Sequence, residues 1–186
     1  MNWAHIHLLL NHIPVIGIML GALLSLFAIL RKSEELKRVT LGIFVFTAVI
    51  ALPVYFTGEP AEDMVKHLPE VSKAFIEPHE DSALFSLVAA IVTGIVALIG
   101  LIVYRRAEKL PNWIATSTLV LSLVASGLMG WTANLGGQIR HTEIRAGFTP
   151  SAETQTGSNQ GEAEGQQKAE KEKAERGRKR SQVSHT

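Results

Sequence analysis

Four long runs of the sequence contain no Asp, Glu, Lys or Arg, and they restrict the chain to a narrow class of folds. The runs cover residues 13–30, 39–58, 82–104 and 112–139. A helix needs roughly 18 apolar residues to cross a bilayer, and buried helices of soluble proteins seldom stay uncharged for so long. In lipid, a helix satisfies its own backbone hydrogen bonds. The sequence therefore predicts an all-α membrane protein, a bundle of four transmembrane helices in contact with the lipid bilayer.

Within this fold, the membrane domain is predicted to cover residues 1–149. Its membrane helices are expected at about 14–30, 39–58, 82–104 and 113–138. The remainder, residues 150–186, consists of charged and small residues, with Val183 as its one large apolar side chain beyond Pro150. Such a segment buries too little apolar surface to offset the entropy lost on ordering. We therefore predict a disordered, charged C-terminal tail or a lone solvated helix.

A proline interrupts the first apolar run near its start. Pro14 lacks a backbone N–H and fits best in the first turn of a helix. Residues 2–10 are therefore predicted to form a short interfacial segment anchored by Trp3, with the membrane helix beginning at Pro14. The alternative is a single kinked helix.

The long loop between the second and third runs has a helical pattern of its own. Four of its apolar residues recur at helical spacing: Met64, Leu68, Val71 and Phe75. They predict an amphipathic outer-loop helix, lying on the membrane or over the bundle and interrupted near Pro69. Pro78 is predicted to begin the third membrane helix.

The loops carry the charges that orient the bundle. Residues 31–38 contain four Lys or Arg and residues 105–109 contain three, whereas residues 59–81 contain seven Asp or Glu and two Lys. Cytoplasmic loops of membrane proteins are enriched in Lys and Arg. We therefore predict a multi-pass protein of the bacterial inner membrane, with both termini and residues 59–81 outside the cytoplasm.

All of the histidines fall on the predicted outer side of the membrane: His5, His7, His12, His67, His79, His141 and His185. Helices one and three both begin at this level, so His12 and His79 are expected at the same depth. The positive end of a helix dipole disfavours an imidazolium ion and leaves the ring neutral, as a metal ligand must be. His12 and His79 are therefore the predicted principal ligand pair, with His7 and His141 as further candidates.

The absence of cysteine from the sequence narrows the choice of cofactor. It excludes thiolate metal sites, iron–sulfur clusters and covalently attached haem. Any haem must then be held without a covalent bond to the protein, and the expected cofactor is a haem b with two histidine ligands. The alternative is a copper, zinc or iron ion bound by imidazole and carboxylate groups. The candidate ligands for such an ion are His5, His7, His12, His79, Glu80 and His141. A third interpretation is that no cofactor binds and the histidines act as interfacial anchors or caps.

Three of the apolar runs carry small residues at every fourth position, starting at Gly17, Ser82 and Thr118. Small side chains allow membrane helices to approach each other closely. The alternative is that they leave room for a flat cofactor between helices. In that case the space lies below the predicted ligand pair, beside Gly17, Gly21, Ser82 and Ser86.

Three short motifs resemble those of a bacterial family of predicted four-helix membrane proteins of unknown function. They are HLLLNHIP at 7–14, EPHED at 77–81 and NLGGQIRH at 134–141. The resemblance covers about residues 5–145, although Leu8 stands where relatives often have proline and the spacing from Gly-Gly to His141 is shorter. Some relatives are fused to Rieske iron–sulfur domains, which implies a role in respiratory electron transfer.

These features predict an inner-membrane subunit that binds haem b or a metal ion and transfers electrons within or beside a redox complex. The alternative is a cofactor-free structural or assembly subunit of a membrane complex. No phosphate-binding loop, nucleophile elbow or HExxH motif is present, so no catalytic residues are predicted. Since the sequence also lacks a basic, aromatic-rich surface, the expected partners are lipid and other membrane or redox subunits rather than nucleic acid.

Overall fold

The computed structural model describes residues 2–148 together with Lys168 and Lys173. Its elements are α1 (Trp3–Leu30), α2 (Glu34–Phe56), α3 (Gly58–Val65), α4 (Lys73–Tyr104), α5 (Asn112–Arg140) and a 3-10 helix at Thr142–Ile144. Among these described residues, four helical segments are long and apolar enough to cross a membrane: Trp3–Leu30, Glu34–Val65, Lys73–Tyr104 and Asn112–Arg140. The predicted all-α architecture with four helices able to span a membrane is confirmed.

The chain divides into two units, Met1–Thr142 and Glu143–Thr186. The helices α1 to α5 all belong to the first unit. The predicted charged tail, residues 150–186, lies outside the described residues except at Lys168 and Lys173.

The long helices form a ring in which each one packs against two others. Helix α1 packs against α2 and α5, and α4 packs against the same two helices. The ring order is therefore α1–α2–α4–α5, with α1 and α4 at opposite corners and every neighbouring pair antiparallel. The end at which α1 and α4 begin is called the histidine end below, and the opposite end is called the basic-loop end.

Helix α1 runs without interruption from Trp3 through Pro14 to Leu30. The separate interfacial segment predicted for residues 2–10 is therefore not present, and the single-helix alternative is the correct one. Asn2 caps the helix, because its side chain accepts a hydrogen bond from the backbone N–H of His5 at 2.9 Å. A proline inside a membrane helix is tolerated where neighbouring helices surround it, and Pro14 is buried in the bundle.

Helix α4 also begins earlier than the prolines predict. It starts at Lys73, more than one turn before Pro78. The preceding helix, α3, covers Gly58–Val65, with Pro60 in its first turn, where the missing N–H has no intrahelical partner to lose. The apolar residues predicted to form one outer-loop helix are therefore divided between α3, the following turn and α4.

Several small residues of the bundle serve close helix packing. A Cβ added at Gly21 of α1 would lie 2.5 Å from Cε1 of Phe44 in α2, and one added at Gly94 of α4 would meet the Cβ of Ala48. Phe44 is fully buried, so its ring occupies the space beside Gly21. The predicted room for a flat cofactor beside Gly17 and Gly21 is therefore not present, since Thr47 faces Gly17 in the same way.

The basic-loop end is held by the carboxylate of Glu34 in the first turn of α2. Its Oε2 accepts hydrogen bonds from the Tyr104 hydroxyl at 2.6 Å and from the Leu110 backbone N–H at 2.9 Å. Its Oε1 accepts from the Lys37 ammonium at 2.7 Å. These bonds join the start of α2, the end of α4 and the loop before α5, which places the two basic loops at the same end of the bundle.

Candidate histidine site

His7 of α1 lies half-buried against the last turn of α2. Its Nδ1 is 3.1 Å from the carbonyl oxygen of Val54 and 3.0 Å from the Thr57 hydroxyl. The same hydroxyl donates to the Val54 carbonyl at 2.8 Å, so its oxygen is left to accept from the imidazole. Two groups at the end of α2 therefore fix the orientation of the His7 ring.

His79 of α4 occupies the corresponding position against α5. Its Nδ1 is 3.0 Å from the carbonyl oxygen of Thr132. The ring lies against Gly136, one turn further along α5, where an added Cβ would be 2.9 Å from Cε1 of the imidazole. The absence of a side chain at Gly136 allows the ring to reach the Thr132 carbonyl.

The two sets of hydrogen bonds select the same tautomer for both rings. A carbonyl oxygen can only accept a hydrogen bond, so Nδ1 must carry the proton in His7 and in His79. In a neutral ring, Nε2 is then an unprotonated acceptor. This is the arrangement of most metal-binding histidines, in which one ring nitrogen donates to a carbonyl or carboxylate while the other binds the metal.

His7 and His79 also lie near each other, although they come from opposite corners of the helix ring. Both rings are half-buried at the histidine end, within the range at which a charge on His79 would act on His7. The structure thus brings together one member of the predicted principal pair, His79, and one of the further candidates, His7.

His12 faces away from this pair. It is exposed, and its Nδ1 lies 2.7 Å from the carbonyl oxygen of Leu8 in its own helix. Five residues separate it from His7, which corresponds to about 140° around an α-helix, so the two side chains leave α1 on different faces. The predicted pairing of His12 with His79 is not the arrangement in the structure.

The remaining described candidates lie at the surface. His5, His67, Glu80 and His141 are exposed, and the charged neighbours of Glu80 are other acids, including Glu62 of α3. Within residues 2–148, Lys168 and Lys173, no group of three or more His, Asp or Glu side chains is arranged to hold a metal ion. The predicted metal ligands are therefore not gathered into one site.

Comparison with known proteins adds no assignment. No family model, curated protein or solved structure matches this chain. The family resemblance of residues 7–14, 77–81 and 134–141 stays a prediction.

The residues that hold the His7 and His79 rings were not predicted from the sequence. Thr57 contributes a hydroxyl, Thr132 a backbone carbonyl, and Gly136 the space that the His79 ring fills. None of the three is a usual ligand of haem iron or of zinc. The inward direction of Thr132 could have been predicted from the sequence. It continues the seven-residue spacing of Thr118 and Ala125, which are both buried on the interior face of α5.

Proposed function

We propose that this protein binds a haem b through His7 and His79 at the histidine end of its bundle and acts as an electron-transfer subunit. The observation that carries the proposal is the shared geometry of the two imidazoles. Each Nδ1 is hydrogen-bonded to a backbone carbonyl oxygen, at 3.1 Å for His7 and 3.0 Å for His79. In the neutral rings each Nε2 is therefore unprotonated, as a ligand must be, and the two rings are carried to the same end of the bundle by helices at opposite corners.

Two histidines suit a haem better than a bare metal ion. Structural protein sites for ions such as zinc use four protein ligands, and catalytic sites use three. Haem iron receives four nitrogen ligands from the porphyrin, so two axial histidines complete its coordination. Small residues adjoin both rings, since Gly58 lies beside His7 and Gly136 beside His79. When bound, the haem would supply one-electron redox chemistry.

The protein's own groups would hold and shield this cofactor. The hydrogen bonds that Nδ1 donates would fix the ring planes and increase the basicity of the opposite nitrogen. The four apolar helices keep the group at a membrane boundary, where lipid surrounds their outer faces. We further propose that the histidine end lies outside the cytoplasm, because the basic loops gather at the other end of the bundle, and that the partners are other redox subunits of the bacterial inner membrane.

The proposal is tested by the reduced-minus-oxidised visible spectrum of protein purified from a haem-producing host. Wild type and His12→Ala are expected to show a haem b band, and His7→Ala and His79→Ala are expected to lose it. His12→Ala is a matched control because this histidine lies on the same helix but faces outward. Loss of the band in His12→Ala and His79→Ala but not in His7→Ala would overturn the assignment of His7.

Metal analysis of the same samples distinguishes the alternatives. If wild type contains stoichiometric copper, zinc or non-haem iron and shows no haem band, the cofactor is a metal ion rather than haem. The absence of both a chromophore and a stoichiometric metal from folded wild type would reject the proposal in favour of a cofactor-free structural or assembly subunit.

A further inference from the structure

We infer that Thr132 is the positioning residue for His79, and that it acts through a cluster of three hydroxyl groups shared between α4 and α5. The inference rests on the proposed function, because positioning matters only if His79 is a ligand. The Thr132 residue has two separate roles in the structure. Its carbonyl oxygen accepts from Nδ1 of His79, and its hydroxyl binds to the helix that carries His79.

The hydroxyl cluster joins the two helices directly below the imidazole. Thr132 Oγ1 lies 2.6 Å from Ser82 Oγ and 2.8 Å from Ser86 Oγ. It also donates to the carbonyl oxygen of Leu128 at 3.0 Å. A hydroxyl has one proton and two acceptor positions, so this geometry has both serines donating to Thr132. All of the hydrogen-bonding capacity of the Thr132 hydroxyl is then used.

The two serines do not follow the usual behaviour of hydroxyl side chains in helices. Serine and threonine in a helix commonly donate to the carbonyl four residues earlier. Thr118 does so within α5, donating to Ile114 at 2.9 Å, and Thr93 does so within α4. Ser82 and Ser86 instead form bonds across the α4–α5 interface. These bonds fix the position of α5 along α4 at the turn where His79 meets its carbonyl partner.

The position of α5 along α4 determines the distance between His79 Nδ1 and the Thr132 carbonyl oxygen, and this hydrogen bond selects the tautomer of the ring. A shift of α5 along α4 by one residue would move the Thr132 carbonyl by about 1.5 Å, and a 3.0 Å hydrogen bond would then be lost or replaced. The hydroxyl of Thr132 therefore acts on Nε2 of His79 without touching it. Its removal is expected to release the ring while leaving the fold intact, because both serines can turn back to their own helix.

The experiment compares Thr132→Val, Thr132→Ser and Thr118→Val. Valine preserves the shape of threonine and removes the hydroxyl, whereas serine retains it. Thr118 is the matched control, since it is buried on the same face of the same helix and bonds within that helix. The readouts are haem affinity, the midpoint potential of the bound haem and the ¹⁵N shifts of the His79 ring in the haem-free protein, assigned by comparison with His79→Ala.

The expected result is a loss of about 10-fold or more in haem affinity in Thr132→Val, typical of removing a group that supports a ligand, with a changed midpoint potential. Its haem-free form should show mixed His79 tautomers in place of one Nδ1-protonated form. Thr132→Ser and Thr118→Val should match wild type in all three readouts.

Wild-type ¹⁵N shifts and affinity in Thr132→Val would overturn the inference. If wild type binds no haem, the proposed function fails, and the ¹⁵N shifts still test the role of Thr132 on their own.

Discussion

Gly136 lies against the imidazole of His79 so closely that a Cβ at this position would be 2.9 Å from Cε1 of the ring. Gly127, nine residues earlier in the same helix, has no heavy atom within 4 Å of the corresponding point. These two glycines of α5 thus differ in what they face, since the space beside Gly136 is filled by a candidate ligand and the space beside Gly127 is open.

Gly136→Ala is expected to displace the His79 ring from the Thr132 carbonyl. Insertion of a methyl group into a filled space typically costs about 1–3 kcal/mol, and here the strain falls on the imidazole. The prediction is reduced haem content in a folded protein, measured by the ratio of haem to protein after purification. Gly127→Ala should retain wild-type haem content. Equal haem content in Gly136→Ala and Gly127→Ala would contradict the close contact between Gly136 and the His79 ring.

Gly21→Ala should destabilise the bundle through helix packing alone. Its added Cβ would lie 2.5 Å from Phe44, and because this ring is fully buried, it can move aside only by displacing its neighbours. We expect a loss of about 1–3 kcal/mol, seen as earlier thermal unfolding in detergent. Gly42→Ala is the control, because nothing lies within 4 Å of its added Cβ. Unchanged unfolding of Gly21→Ala would show that the space beside Gly21 is not filled.

Glu34→Gln should loosen the basic-loop end. The substitution removes the negative charge that accepts from Tyr104, Leu110 and Lys37, and it leaves the buried Lys37 ammonium without its ion-pair partner. Hydrogen bonds to charged groups contribute about 1.5–3 kcal/mol, so thermal unfolding in detergent should occur at a lower temperature. Glu35→Gln, in the same turn but exposed, should unfold like wild type. The same unfolding temperature for both variants would refute this role.

The proposed orientation can be tested by cysteine labelling, because the chain has no native cysteine. Glu35→Cys lies at the basic-loop end and Glu77→Cys at the histidine end, and both positions are exposed. In intact cells, a membrane-impermeant maleimide should label Cys at position 77 and reach position 35 only after lysis. Labelling of position 35 alone in intact cells would show the opposite orientation, with the candidate site on the cytoplasmic side.

The sequence predicted the four helices able to span a membrane because each contains a long uncharged run, but it did not predict which histidines face inward. His7 continues a seven-residue spacing with three buried residues of α1: Pro14, Gly21 and Ala28. Seven residues nearly complete two turns, so all four lie on one face. The predicted break at Pro14 separated His7 from this repeat and favoured His12.

The same spacing places His79 on the buried face of α4, with Ser86, Thr93 and Gly100. Its inward direction could therefore be derived from sequence, as long as α4 is treated as one helix. The contacts with Thr132 and Gly136 could not be derived in this way. They depend on the position of α5 along α4, which is determined by packing and by the cross-helix hydroxyl bonds rather than by the pattern of either helix.

The ring order of the helices has a consequence for how the two hairpins are held together. His7 belongs to the α1–α2 hairpin and His79 to the α4–α5 hairpin, so neither hairpin contains both candidate ligands. A group bound by both would stabilise only the docked state, by about 2.7 kcal/mol at a concentration of 100 times its Kd. A bound group would therefore link the two hairpins, and its loss would lower the free energy needed to separate them.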